Sequence, residues 1–480
     1  MVGAMTTVPD GLVAVVKRDC PTCTLVEPVL RQLADAGALT VVCQDDPAFP
    51  RDLPVVDDRE LELSWRLHIE TVPTLLRMAD GAESGRVEGW LRSAWEAFTG
   101  VAGLGDGLPE HRPGCGSRSV EWGVEDELAR RYGGRVLTAR RVELADLEDD
   151  VEALFDRGWT DGLPCVPPTE ERVLRMLGGT RRAPDEVVAV VPPDLVECTV
   201  EKVAVNAVLA GCLPEHLPVV LAAVEAACRD EFALHGVLAT TWSAGPVLVV
   251  DGPVTARLRM NSGINALGQG NRANATIGRA LQLVVRNVGG GRPGEVDRAT
   301  LGNPGKVGWC FAEADDGLRP FPPLAESRGV PGSALTVFAG AGLTPFLDQA
   351  SRTPESLART LALVLRTVGH PKAALGMDAL VVLGPEHGRV FREAGWGRER
   401  LLEELEPLLL LEPDELRRGA LGIAEGMPDA LLDRPLPKFR PGGLLLSYAG
   451  GPAGMFSAVI GGWASGATGS SPVTVPIEEA

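Results

Sequence analysis

Two cysteines separated by two residues, in the stretch "CPTC" at 20–23, are the residues whose type and spacing most directly suggest chemistry. Thiols at this spacing can exchange electrons with a disulfide, supply half of a metal site, or stand close by coincidence. A zinc site needs a second cysteine pair or two histidines nearby, and none follows at the usual interval, so the spacing favours a redox dithiol. Behind the pair, Val26, Val29, Leu30 and Leu33 recur at helical spacing, and Cys23 is expected to open an amphipathic helix. Unpaired backbone N–H groups and the positive end of the helix dipole favour thiolate over thiol at such a position. Cys20 is then expected to attack and Cys23 to resolve.

The surrounding elements must hold that pair. The run "LVAVV" at 12–16 reads as a strand entering it, "LTVVC" at 39–43 as a second strand, "DRELELSWRLHI" at 58–69 as a helix, and "ETVPTLLRM" at 70–78 as the lead into another strand. A strand running into CPTC, with "TVPT" before a later strand, resembles the thioredoxin-like family over about residues 10–100. The resemblance implies that Pro73 is cis and packs against the dithiol, with the backbone before it helping to bind substrate. The chain departs from the family at Asp19, where a tryptophan is usual, and a charge there is expected to oppose the thiolate. A thioredoxin-like fold acting only as a docking module is the other reading, because a fold does not fix a function.

Length and composition bound the rest. A chain of 480 residues with 45% apolar and 23% charged residues implies a globular protein of several domains. No apolar stretch approaches the roughly 20 residues that span a bilayer. The first residues lack a basic segment followed by an apolar core, so a cytoplasmic protein is expected. With 65 acidic against 46 basic residues the net charge of -19 repels nucleic acid and anionic lipid. The expected partners are a small-molecule substrate and a reductase or other thiol protein. Nine cysteines are an odd number for a disulfide framework and are expected to be free thiols.

Residues 1–100 are thus read as the dithiol domain and 101–134, rich in glycine and proline, as a linker. Cys115 within it is expected either to shuttle electrons to the rest of the chain or to be a spectator. Residues 135–330 read as an α/β ligand-binding region and 331–480 as an α/β C-terminal region. In the first of these, two helices broken at Pro214 place Cys212, Glu215 and His216 at the break. Asn261, Asn265, Asn271 and Asn274 then alternate with glycines ahead of a helix marked by Ile277, Leu281, Val284 and Val288. Such a loop offers backbone donors to a carboxylate or phosphate, with Arg272 at its entrance and Arg279 and Arg286 on a solvated face. Neither a Walker nor a dinucleotide spacing is present, so no nucleotide is implied.

Lys306, Cys310 and Glu313 fall within eight residues, where a lysine and a carboxylate could tune a thiol or move protons. Strand alternation would nevertheless put Cys310 and Glu313 on opposite faces. Toward the C-terminus three apolar runs end in small-residue loops at 334–342, 379–388 and 443–454, with helical stretches at 354–369 and 397–411. This pattern predicts an open, mostly parallel sheet whose crevice collects Glu386, His387, Gly450 and Gly451.

The phrases "GWTDGLPCVPPT", "NAVLAGCLPEHLPVVLAA" and "GNRANATIGRAL" resemble a bacterial family of unassigned activity, associated with UGSC-type selenoproteins and thioredoxin-like partners, over most of 150–480. The chain carries Cys115-Gly-Ser-Arg rather than the full motif, and no catalytic residue transfers. The reading that joins these parts is a thiol-dependent redox enzyme. Its dithiol, as a redox-active disulfide, serves a large α/β domain that acts on a small anionic molecule, with Cys212 or Cys310 as that domain's thiol. The rival is a lyase or hydrolase that uses His387 with Glu386 or Glu313, with or without a metal, beside a docking module.

Overall fold

Val13, Ala14, Val15 and Val16 are all fully buried, as in a strand covered on both faces. A computed structural model places them in the first of two compact units, residues 1–135 and 136–480. It describes residues 9–121, 124–133, 137–144, 148–463 and 469–478. The opening residues 1–8 and the domain boundary expected near 134 lie outside the described residues. Among the described residues no helix is long and apolar enough to cross a membrane.

The first unit runs β1 (Gly11–Val16), α1 (Pro21–Leu25), α2 (Glu27–Ala36), β2 (Leu39–Cys43), β3 (Val55–Asp57), α3 (Glu62–Arg66), β4 (Thr71–Val72), β5 (Thr74–Ala79), β6 (Ala82–Glu88), β7 (Trp90–Leu91), α4 (Arg92–Thr99), β8 (His111–Arg112), β9 (Cys115–Gly116) and α5 (Val124–Tyr132). β1 is central, with β2 and β3 parallel to it on one side and, on the other, β5 antiparallel to it and β6 antiparallel to β5. Trp90 and Trp95 are fully buried and meet edge to face, with ring centroids 5.1 Å apart.

The segment 101–134, expected to be a linker, is part of this unit. β8 pairs with β7 and β9 with β4, both antiparallel. Leu104 is buried, and the Trp90 indole donates to the Pro109 carbonyl at 2.6 Å. Two-residue bridges and single anchors leave no periodicity in a sequence, so the segment reads as loose when it is not. Its close approach needs Gly114, where an added Cβ would lie 2.3 Å from Thr71 Cγ2 and 2.8 Å from the Val72 carbonyl oxygen.

The second unit runs α6 (Asp150–Asp156), α7 (Glu170–Leu177), β10 (Val187–Val191), β11 (Val196–Thr199), α8 (Val200–Ala210), α9 (Leu217–Ala227), α10 (Leu234–Ala239), β12 (Gly245–Asp251), α11 (Pro253–Arg257), α12 (Arg272–Asn287), β13 (Trp309–Ala312), α13 (Leu324–Ser327), β14 (Ala334–Leu347), α14 (Pro354–Arg366), β15 (Met377–Leu383), α15 (Pro385–Glu393), α16 (Arg398–Leu408), β16 (Leu410–Leu411), β17 (Leu436–Pro437), β18 (Phe439–Tyr448), β19 (Phe456–Gly462) and β20 (Val473–Pro476). Its main sheet has the order β13-β12-β14-β19-β15-β18, with β20 also beside β14. Alternation sorts the core. Leu248 and Val250 pack with α8, α9 and α12, while Val247 and Val249 pack with Leu380, Val382 and Ile460.

The α/β class is present, but the mostly parallel sheet is not. β12–β13 and β15–β18 are parallel, whereas β12–β14, β14–β19, β14–β20 and β15–β19 are antiparallel. Residues 449–455 are too short a connection for a crossover, so β19 reverses direction and inserts between β14 and β15. The expected division at 330/331 also fails, because β12 and β14, from opposite sides of it, are neighbours in one sheet. Nor does a loop follow the apolar run at 334: β14 continues to Leu347 through a register shift between Gly340 and Leu343.

Replacing Gly114 with alanine is expected to push β9 off β4 and lower stability by about 1–3 kcal/mol, read as a lower urea midpoint for the first unit. Gly116→Ala, where an added Cβ meets nothing within 4 Å, is the control and should shift the midpoint little.

Candidate functional site

α1 begins at Pro21, and Cys20 is its N-cap; the Cys23 backbone N–H donates to Cys20 Sγ at 3.3 Å. Cys20, not Cys23, therefore stands at the helix entrance. Cys20 Sγ also lies 3.6 Å from the Val72 carbonyl, and the Val72–Pro73 peptide is cis. Opposite Val72 in the β4–β9 register stands Cys115. The strap that carries it is clasped to the dithiol loop from both sides. Thr22 Oγ1 donates to the Pro113 carbonyl at 2.7 Å, and Lys17 Nζ to the Gly116 carbonyl at 2.8 Å. Further along, Gln44 Nε2 donates to Ser117 Oγ at 2.6 Å and Ser119 Oγ to the Ile69 carbonyl at 2.8 Å.

Three thiols thus meet where the sequence suggested two. Cys23 is fully buried, Cys20 is 1% exposed, and Cys115 is only half-buried. The Cys20 pKa is lowered to about 5, first by the hydrogen bond from the Cys23 thiol; burial opposes this, and Cys115 and the backbone N–H groups of Cys23 and Thr22 add to it. Burial pushes Cys23 up, and the neighbouring Cys20 pushes it further. Cys115 is raised for the same reasons in the same order. These opposite shifts favour ionisation at Cys20 over Cys23 and Cys115. Asp19 is exposed, and its backbone N–H donates to Asp45 at 2.9 Å.

The second unit places its candidates differently. Asn271 caps α12 and accepts from the Asn274 N–H at 3.0 Å, while Asn274 accepts from the Asn261 N–H at 3.0 Å and donates to the Asn261 carbonyl at 2.8 Å. Asn265 donates to the Gln269 carbonyl at 2.8 Å, and Arg272 Nε to the Gly211 carbonyl at 2.9 Å. These groups pin the loop to itself and to the end of α8. Arg279, expected on a solvated face, instead makes a two-pronged ion pair with Asp161, both contacts at 2.7 Å, and reaches Cys165 Sγ at 3.3 Å. A cavity of ≈ 820 Å³ opens beside it, walled by Asn274, Arg279, Asn303, Trp309 and Cys310. Among the described residues the Trp309 indole N–H there has no partner.

The large-unit thiols are poorly suited to attack. Cys212 is buried, with its pKa pushed up to about 12, and Cys310 is pushed up further, both by burial. Lys306 pairs with Asp297 at 2.7 Å, not with Cys310. Glu313 is buried beside Asp251, accepting from the Tyr448 N–H at 2.8 Å and the Leu324 N–H at 2.6 Å. Burial raises both carboxyls, and Asp251 adds to the rise at Glu313. Asp251 Oδ1 has no hydrogen-bond partner among the described residues, and the interaction with Asp251 favours a proton on Glu313. Sequence reasoning missed Asp251, although an acid closing the apolar run "VLVV" was a visible signal.

Gly450, Gly451 and Asn265 share a second cavity of ≈ 400 Å³ with Gly384 and Ser457, at the carboxyl ends of β15 and β18. His387 is fully buried behind its wall. Nε2 donates to the Asp348 carbonyl at 3.1 Å, so Nδ1 accepts from Ser457 at 2.7 Å, and the ring packs 4.9 Å from Phe346. Burial lowers its pKa and keeps it neutral. The partners expected for it, Glu386 and Glu313, are not the groups that bind it; main-chain geometry and Ser457 are. Among the described residues no group of three His, Cys, Asp or Glu side chains is placed to hold a metal ion.

Comparison of the chain with protein-family models, with curated proteins and with solved structures finds no match.

Two outcomes follow from these charges. A thiol whose pKa is depressed by the fold stabilises it fully above the unfolded thiol's value, and that stabilisation fades as pH falls through about 5. Thiolate absorbance in the far ultraviolet should therefore show one group ionising near that pH, and Cys20→Ser should remove the step. The raised Asp251–Glu313 pair acts in the opposite sense, so stability falls as pH rises above the ordinary carboxyl range. Asp251→Asn should flatten that fall, read as a Tm gain over the parent at pH 9 that is absent at pH 5.

Proposed function

We propose that the chain is a thiol–disulfide oxidoreductase whose reacting group is the Cys20 thiolate in the first unit. The single observation that carries this reading is the placement of Cys20 at the entrance of α1, its sulfur accepting the Cys23 N–H at 3.3 Å with Cys115 opposite Val72 beside it, a setting that lowers its pKa to about 5. The thiolate is the nucleophile in exchange, so a sulfur ionised at neutral pH is ready to attack. The likeness of CPTC and TVPT to the thioredoxin-like pattern points the same way.

Cys20 Sγ attacks one sulfur of a substrate disulfide, the substrate S–S bond breaks, and one half leaves as thiolate. A second thiol then attacks Cys20 Sγ and releases the other half, so two electrons pass to the substrate and a protein disulfide remains. The larger unit supplies the cavity beside Arg279 as the place for a small molecule. Since Asp161 neutralises that arginine, the reading does not rest on an anionic ligand. Nor does it rest on Cys212 or Cys310, which burial keeps protonated.

The test is catalysed reduction of insulin disulfides by the full chain with dithiothreitol as reductant. The parent is expected to exceed the uncatalysed rate, and Cys20→Ser to return to it, a loss of a hundredfold or more. A Cys20→Ser chain as active as the parent would sink the proposal.

A further inference from the structure

The exchange reading leaves open which thiol frees the substrate from Cys20, and the inference below rests on that reading. Spacing alone nominates Cys23. In the folded unit Cys23 is fully buried within the first turn of α1. Cys115 is half-buried, on a strand of two residues that pairs with β4 beside the dithiol. Its register partner is Val72, whose carbonyl is 3.6 Å from Cys20 Sγ. The Pro113 and Gly116 carbonyls on either side of it are bound by Thr22 and Lys17, residues of the loop that carries the dithiol. Gly114 permits the approach, since any Cβ there would collide with Thr71 and Val72.

This placement constrains the order of events. Cys20 is 1% exposed, so a substrate disulfide reaches it only after the strap has lifted from β4. When the strap returns, it brings the more exposed Cys115 sulfur back beside Cys20, where the substrate half is attached. We propose that Cys115, and not Cys23, is the resolving thiol. Its sulfur attacks Cys20 Sγ, the bond from Cys20 to the substrate sulfur breaks, and the Cys115 proton is taken up as the substrate half leaves. The products are a Cys20–Cys115 disulfide and two substrate thiols, formed from a Cys20 thiolate, a Cys115 thiol and one substrate disulfide with one proton from solvent. An external dithiol, small molecule or protein, returns the pair to thiols by the same exchange run in reverse. Burial favours this assignment too. The charge on Cys20 vanishes in the mixed disulfide, and what then still opposes ionisation is desolvation, which is greater at the fully buried Cys23.

The experiment uses the full chain, the symmetrical aromatic disulfide dithiobis(nitrobenzoate) at one equivalent, an acid quench and mass mapping of the cysteine peptides. With Cys23→Ser, a Cys20–Cys115 disulfide is expected, with both halves of the probe released. With Cys115→Ser, the nitrothiobenzoate adduct should persist on Cys20 at least tenfold longer than in the parent. Cys115→Ala should behave the same way, which separates loss of the sulfur from the presence of a buried hydroxyl. An adduct that persists in Cys23→Ser, or a Cys20–Cys23 disulfide formed by Cys115→Ser at the parental rate, overturns the assignment while leaving the exchange reading intact. A parent chain that shows neither adduct nor disulfide at Cys20 overturns both.

Discussion

A sulfur that is ionised while nearly out of water must be ringed by donors, because an unpaired buried charge costs several kcal/mol. Around Cys20 the donors come from two places: the Cys23 thiol and the backbone of Thr22 and Cys23 from α1, and the Cys115 thiol from the strap. The first unit is arranged around this demand. α1 must start at Pro21 for the N–H groups to point at the sulfur, β4 must stop where the chain turns into the cis Val72–Pro73 peptide, and Gly114 must be without a side chain for β9 to lie against β4. Remove the strap and Cys20 gains water but loses a donor.

The large unit handles buried charge in the other way, by protonation. Glu313 and Asp251 close the ends of β13 and β12, and between them take the backbone N–H groups of Leu324, Ala325 and Tyr448. Two carboxylates in that space would repel strongly, so one proton is retained and the pair works as a neutral-plus-anion staple joining β12, β13, α13 and β18. His387 is treated alike, kept neutral and bound at both nitrogens. Polar residues that look reactive in a sequence are in this unit the means by which strand ends and loops are fastened.

How much of this was legible follows from what each feature depends on. β1, β2, β12 and α14 were visible because an apolar run or stripe is a property of neighbouring residues. The direction of β19 was not, because it depends on the length of the connection after β18 and on a gap between β14 and β15 that distant segments create. The Asn261–Asn274 loop was visible as a loop, but asparagines that bind each other and asparagines that bind a ligand are written with the same letters. Cys115 was visible as a cysteine and misplaced as a linker residue, because a two-residue bridge has no period to read.

The same brevity that hid the strap suits it to its position. A long strand beside β4 would bury Cys20 permanently, and an unanchored loop would supply no donor to the thiolate. Two paired residues with Thr22 and Lys17 as clasps lie between these limits, since each exposed or half-exposed hydrogen bond contributes only about 1 kcal/mol net and few need to break together. The dithiol is thus covered by a segment whose hold is modest and whose own sulfur helps to keep Cys20 ionised. On the exchange reading proposed above, covering and activating Cys20 are one interaction, and uncovering it would withdraw one of its thiol donors as a substrate sulfur arrives.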